Sequence, residues 1–158
     1  MKSLVIYTTR SGNTRAIAEA IAETMRRRGD VELFDTDRAP TPLPASDLIF
    51  IGGPTERHKL TPSMVRFLDR LAPGSLRGKA TAAFDTRAQW PRFLSGSAAD
   101  DIAKLLRAAD ANVVAQAESF FIRADHELGY QLEPGELTRA ATWAAGVADQ
   151  VNVEEAVV

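Results

Sequence analysis

The sequence predicts an α/β domain: a doubly wound sheet of five parallel strands with helices on both faces. Three observations carry that expectation. Short apolar runs alternate with longer stretches whose apolar residues recur at helical spacing. The short runs are nearly continuous, as strands buried on both faces require. The chain has 158 residues, 45% of them hydrophobic, which suits one domain with a single core.

Leu4–Tyr7 is the first strand, and it stops abruptly in Thr9, Ser11, Gly12, Asn13 and Thr14. A helix comes next over 14–28, with Ile17, Ala18, Ile21, Ala22 and Met25 on one face and Gly29 as its stop. Arg26, Arg27 and Arg28 fall in its last turn, where cations complement the helix dipole; a solvated helix end explains them better than a nucleic-acid patch. Val31–Phe34 is the second strand. The stretch APTPLPAS is a surface loop. Asp47–Ile51 is the third strand and runs into Gly52, Gly53, Pro54 and Thr55. Residues 61–71 form a helix with Pro62 in its first turn and Met64, Val65, Leu68 and Leu71 facing inward.

Lys79–Phe84 is the fourth strand, and the loop DTRAQWPRFLSGS leaves its end. Ala98–Ala109 is helical through Ile102, Leu105 and Leu106. The fifth strand lies within Val113–Ile122. A last helix opens at Pro134, Gly135 and Glu136 and runs to about Gln150, with Trp143 and Val147 as core residues. Residues 1–150 are thus expected to form one domain, and 151–158 a flexible tail.

Composition narrows the chemistry. The chain contains no cysteine, so disulfides, thiolate nucleophiles, Cys-ligated zinc and iron–sulfur clusters are all excluded. The two histidines, His58 and His126, are far apart in sequence and form no metal-ligand pair. A formal charge of -2 predicts no general attraction to nucleic acid. No apolar stretch has the length of a signal sequence or a membrane span, so a cytoplasmic protein with no membrane partner is expected.

In a doubly wound sheet, ligands bind beyond the carboxyl ends of the strands. Three loops leave such ends: 8–14, 52–61 and 85–97. The first has the chemistry of a phosphate site. A helix starts there, its first N–H groups lack partners, and its dipole favours an anion. Gly12 lets the backbone approach closely, and Thr9, Ser11 and Thr14 offer hydroxyl donors without charge. Starting a helix needs one capping side chain, and this loop supplies several. Arg10 either pairs with the bound anion or remains in solvent. An aspartate at position 14 is expected to abolish anion binding while leaving the fold largely intact.

These loops together resemble the flavodoxin family. The segment Thr9-Arg10-Ser11-Gly12-Asn13-Thr14 is similar to the family's phosphate loop, T/S-x-T/S-G-x-T. Gly52-Gly53-Pro54-Thr55 resembles its second loop, and Phe84-Asp85-Thr86-Arg87 with the residues up to Ser97 resembles its third. The uninterrupted run after Val113 resembles the short-chain branch. The resemblance covers residues 3–148. It implies a five-stranded sheet of order 2-1-3-4-5 and non-covalent FMN, held between the second and third loops. The implied cofactor residues are the six of the phosphate loop, then Pro54, Thr55, Glu56, Arg57 and His58, and then Asp85, Thr86, Arg87 and Trp90. Trp90 either stacks on the flavin ring or covers its own loop. His58 either touches the ring or is solvated. Asp85 either orients the third loop or closes an Asx-type turn.

The implied function is an FMN-dependent electron carrier between a reductase and an acceptor protein, as a monomer or weak homodimer. No separate catalytic residue set is read. The alternatives are a small FMN-dependent NAD(P)H reductase and a binding module that has lost its flavin. A dinucleotide-binding Rossmann domain, with Asp35 on the ribose, is weakened because the first loop lacks G-x-G-x-x-G. A receiver-like module would need acids where Thr8, Thr9, Gly52 and Gly53 stand. Arg57, His58, Lys59, Arg87 and Arg92 make the ring-side loops basic. Such charge should stabilise a reduced, anionic flavin, giving a less negative second-electron potential than an acidic flavodoxin has.

Overall fold

The first apolar run becomes strand β1 (Ser3–Tyr7). It lies between β2 (Val31–Asp35) and β3 (Leu48–Pro54), parallel to both. β4 (Ala80–Ala88) continues the parallel sheet beyond β3. The computed structural model describes residues 1–157. Side chains alternate between two cores. Val5, Tyr7, Leu48 and Phe50 face helices α1 (Asn13–Arg26) and α5 (Glu136–Val157). Leu4, Ile6, Ile49 and Ile51 face α2 (Pro62–Arg70) and α4 (Ala98–Ala108). This alternation is why the strand sequences read as continuous apolar runs.

The order 2-1-3-4 is as expected, but the sheet has seven strands rather than five. The fifth strand is split. β5 (Asn112–Val113) pairs with the start of β4, and β6 (Glu118–Asp125) pairs with its end, from Phe84 to Ala88. Between them stand Val114, Ala115, Gln116 and Ala117, of which the two alanines have low β propensity. A seventh strand, β7 (Gly129–Leu132), returns antiparallel along β6. Its turn had a legible signal. The Asp125 carboxylate accepts from the N–H of Glu127 and of Leu128, both at 2.9 Å, and Gly129 takes φ 74°.

Other limits also move. β3 runs to Pro54, so Gly52, Gly53 and Pro54 lie on a strand and not in a loop. β4 runs to Ala88, so Asp85, Thr86 and Arg87 lie on a strand and not in a loop. The third loop contains a short helix, α3 (Arg92–Ser95). α5 continues past Gln150 to Val157 because Val151 is buried against the core, so most of the expected tail is helical. Val158 lies outside the described residues.

Trp143 is a core residue, as its place in a helix suggested. Its ring meets Phe50, Phe84 and Phe120 edge-on, at 5.6, 6.2 and 5.9 Å between centroids. Gly52 belongs to this cluster as well. A Cβ there would sit 2.4 Å from the Phe84 ring, so packing alone requires this glycine.

At the start of α5, Glu136 fastens the helix to β6. Its carboxylate accepts from Phe121 N at 2.7 Å and from Arg139 Nη2 at 2.6 Å. Arg139 also donates to Ser119 O, pairs with Glu118 at 3.0 Å, and stacks over the Phe120 ring at 4.7 Å. Burial pushes the Glu136 carboxyl upward, but Arg139 and the Phe121 N–H outweigh it and hold it below its ordinary value. A lowered folded-state pKa stabilises the protein above the unfolded-state value, and that stability is lost as pH falls through the folded value. Glu136→Gln should therefore cost about 1–3 kcal/mol at neutral pH and flatten the acid limb of stability. Urea denaturation of both proteins across the carboxylate range measures it.

Candidate functional site

Strand order reverses between β1 and β3, and the loops leaving these two strands diverge there. Thr8 N still bonds Gly52 O at 3.1 Å; beyond it the first loop turns into α1. The turn is made at Gly12, with φ 90° and open space around it, so the backbone conformation and not crowding demands glycine. The first intrahelical bond runs from Ala16 N to Gly12 O at 3.0 Å. The N–H groups of Asn13, Thr14 and Arg15 precede it and point out of the helix end. Thr61 caps α2 through Met64 N, and Ser97 caps α4 through Asp100 N. Among the described residues no side chain caps α1, and its first turn carries no acid.

Two hydroxyls of the first loop stand at this helix end. Thr9 Oγ1 accepts from Gly12 N at 3.0 Å, and Ser11 Oγ accepts from Asn13 Nδ2 at 3.1 Å. Each oxygen accepts one bond, and among the described residues neither hydroxyl hydrogen has an acceptor, so both are available to donate. The Asn13 side chain is engaged within the protein. Its amide bonds both Ser11 Oγ and, at 3.0 Å, the carbonyl of Tyr130 on β7, so its two donors tie the loop to the β6–β7 hairpin. Thr14 is buried, with its hydroxyl 2.7 Å from that of Thr86. An aspartate there would bury a carboxylate, so the substitution expected to spare the fold would damage it. Arg10 is exposed, in line with the solvated reading, and also pairs with Glu56 of the second loop at 2.8 Å.

That second loop closes as a two-residue hairpin. Glu56 and Lys59 exchange backbone bonds of 3.1 and 2.8 Å, with Arg57 and His58 between them at φ 43° and 70°. Asn-Gly is the usual occupant of such a turn, and each non-glycine residue held there costs on the order of 1–3 kcal/mol. Both side chains are exposed. Pro54 ends β3 in register with Thr86, and Thr55 N bonds Thr86 O at 3.0 Å.

Asp85 unites the second and third loops. Its Oδ2 accepts from Ser97 Oγ at 2.8 Å, Thr55 Oγ1 at 3.0 Å and Ala99 N at 3.0 Å. The carboxylate orients the end of the third loop rather than closing a local turn. Arg87 is 6% exposed and is not a loop cation. It donates to Ser119 Oγ, the Trp90 carbonyl and Ser95 Oγ at 3.0, 2.7 and 2.8 Å, and lies over the Phe121 ring. All three acceptors are neutral, so this buried charge has no carboxylate partner among the described residues. Arg92 is held by both Asp100 oxygens, at 2.8 and 2.6 Å. The free cations of the ring-side loops thus reduce to Arg57 and Lys59, with His58 beside them. Trp90 does not fold under its loop: it is 62% exposed, and Phe93, which sequence reasoning missed, is 85% exposed. The signal for Phe93 was an aromatic three residues after Trp90, at the spacing of one helical turn.

Two hydroxyls and an uncapped helix end thus stand at the switch point, and the third loop carries exposed aromatic rings. A family model described as a flavodoxin domain matches residues 4–87, more than half of the chain. The chain belongs to the flavodoxin family. Flavodoxins carry FMN, and the donor set fits its phosphate: the donors are neutral and no carboxylate stands in the first turn of α1. A flavodoxin of Aquifex aeolicus is 35% identical over 95 residues, covering 56% of this chain and 51% of that protein. One of Clostridium saccharobutylicum is 30% identical over 89 residues, covering 54% and 56%. The chain thus matches about half the length of these curated relatives. Flavodoxin 2 of Bacillus cereus, solved in the oxidised form, shares the fold, with a TM-score of 0.78 at 22% identity over 95% of this chain and 99% of that one. No helix among the described residues of this family member is long and apolar enough to cross a membrane.

Proposed function

We propose that this protein binds FMN non-covalently at the three loops and serves as a cytoplasmic electron carrier between a reductase and an acceptor protein. The observation that carries the reading is the polarity of Thr9 and Ser11. Each oxygen accepts one bond from the chain, and among the described residues neither hydroxyl hydrogen has an acceptor, so both are available to a ligand at an uncapped helix end. In this reading the two hydroxyls and the N–H groups of Asn13, Thr14 and Arg15 hold the phosphate. Trp90 and Phe93 flank the ring, with Pro54, Thr55, Glu56, Arg57 and His58 along its other side. Asp85, Thr86 and Arg87 act from beneath, by fixing the loops that hold it. When bound, FMN supplies reversible electron uptake and release; the protein supplies position and potential.

The test is direct. The purified protein should be yellow, with bands near ~375 and ~450 nm. FMN-stripped protein should take up one equivalent, with quenching of Trp90 fluorescence. Colourless protein that takes up no FMN would leave a flavin-free binding module. The electrostatic expectation survives in altered form. Arg57 and Lys59 remain free, and Arg87 is a buried, carboxylate-free guanidinium, so the reduced anion should still be stabilised. A redox titration should give a second-electron potential less negative than that of an acidic flavodoxin. An equal or lower value would count against this charge reading.

A further inference from the structure

Beside the second loop runs a groove that the cofactor reading leaves unused. Lys59, Leu60, Val65, Asp101, Lys104 and Leu105 line it. Val65 on α2 and Leu105 on α4 are both exposed, and both line this groove. Arg57 and His58 project at the same corner. The third loop closes against it, since a Cβ at Gly96 would lie 2.9 Å from His58 Cα. The exposed side chains of Phe93 and Leu94 therefore stand on the loop that abuts this corner.

The charges here have one predominant sign. Glu56 is paired with Arg10, and Asp100 is taken by Arg92. Residues 89–97 include no acid. Asp101 lies in the groove and Asp69 borders it beside Val65 and Leu105; against these two carboxylates stand Lys59, Lys104 and the neighbouring Arg57. The chain as a whole carries -2, so this is a local reversal of sign at the edge of the ring-side loops. Cations around an apolar strip steer and then seat a surface of opposite charge.

We infer that this corner is the docking surface for an acidic partner protein. Its carboxylates meet Arg57, Lys59 and Lys104, and its apolar centre rests on Leu60, Val65 and Leu105. The inference rests on the FMN-carrier reading, since a partner seated here lies beside the loops assigned to the ring. Docking by sign also predicts which acceptors this carrier excludes: basic proteins, which the same corner repels.

Cytochrome c and its succinylated form provide matched probes, with the same haem and opposite surface charge. Binding of each is measured by titration calorimetry, with FMN-loaded and FMN-free protein, at low and at high ionic strength. The succinylated form should bind at least about tenfold more tightly at low salt, and the preference should vanish at high salt. Lys59→Glu with Lys104→Glu should remove that preference without lowering the melting temperature, because both side chains are exposed. Equal binding of the two probes, preference for native cytochrome c, or an unchanged preference in the double variant would overturn the inference. So would loss of NADPH binding in the double variant, which would make the corner a dinucleotide site. FMN uptake, read by absorbance in the same samples, reports the cofactor site separately. Uptake without the charge preference sinks only the docking surface. The preference without uptake sinks only the carrier reading.

Discussion

Asp85→Ala should destabilise the protein by about 3–5 kcal/mol, the largest loss expected from a single side chain at this site. The residue is fully buried. Its Oδ2 receives three donors, from Ser97, Thr55 and Ala99. Alanine leaves all three without an acceptor, and an orphaned buried donor costs about 1–3 kcal/mol. The loss compounds because Ser97 is itself the cap of α4. A domain of this size has a total stability of about 5–15 kcal/mol, so the variant should lie near the folding threshold. Asp85→Asn keeps one acceptor oxygen and should lose less. Urea unfolding at constant m value measures both. Near-equal midpoints for wild type and Asp85→Ala would show that water or loop movement satisfies the donors, and that the carboxylate does not hold the loops. Because Thr55 and Ser97 belong to different loops, the same variant should also weaken FMN binding.

Ser11→Asp should weaken FMN binding by about a hundredfold or more while leaving stability nearly unchanged. Ser11 is exposed, so a substitution there falls in the range of about ±0.5 kcal/mol typical of surface positions. The new carboxylate would face a phosphate dianion across a hydrogen-bond distance. At the effective dielectric of a protein surface, each like-charge pair costs about 1–4 kcal/mol. Ser11→Ala removes one charge-assisted donor and should cost about 1.5–3 kcal/mol, or roughly ten- to a hundredfold. Fluorescence titration of the stripped proteins gives all three affinities. An unaltered affinity in Ser11→Asp would place the phosphate elsewhere.

Much of the fold was legible because burial writes itself into sequence. Leu4 to Tyr7 and Leu48 to Ile51 are apolar on consecutive positions, which only a strand covered on both faces requires. The first loop was legible because several hydroxyl and amide side chains exceed what one helix cap needs. The hairpin of β6 and β7 was missed because its turn end is exposed: Arg123, Ala124 and Asp125 on β6, and Gly129 and Tyr130 on β7, give no burial signal. The end of β4 was missed because Asp85, Thr86 and Arg87 read as a polar loop. Their burial is made possible by partners distant in the chain, in Ser97, Thr14 and Ser119.

The alternation of buried strands with helices, and the neutral donor loop at the first crossover, were set by local composition. Hydrophobic period and helix-end chemistry act over a few residues and can be read there. What each polar side chain does was decided only by the tertiary structure. Asn13 became a strut to Tyr130, Arg87 a buried brace, and Arg10 a partner of Glu56, because a hydrogen bond depends on which distant group folding brings within about 3 Å.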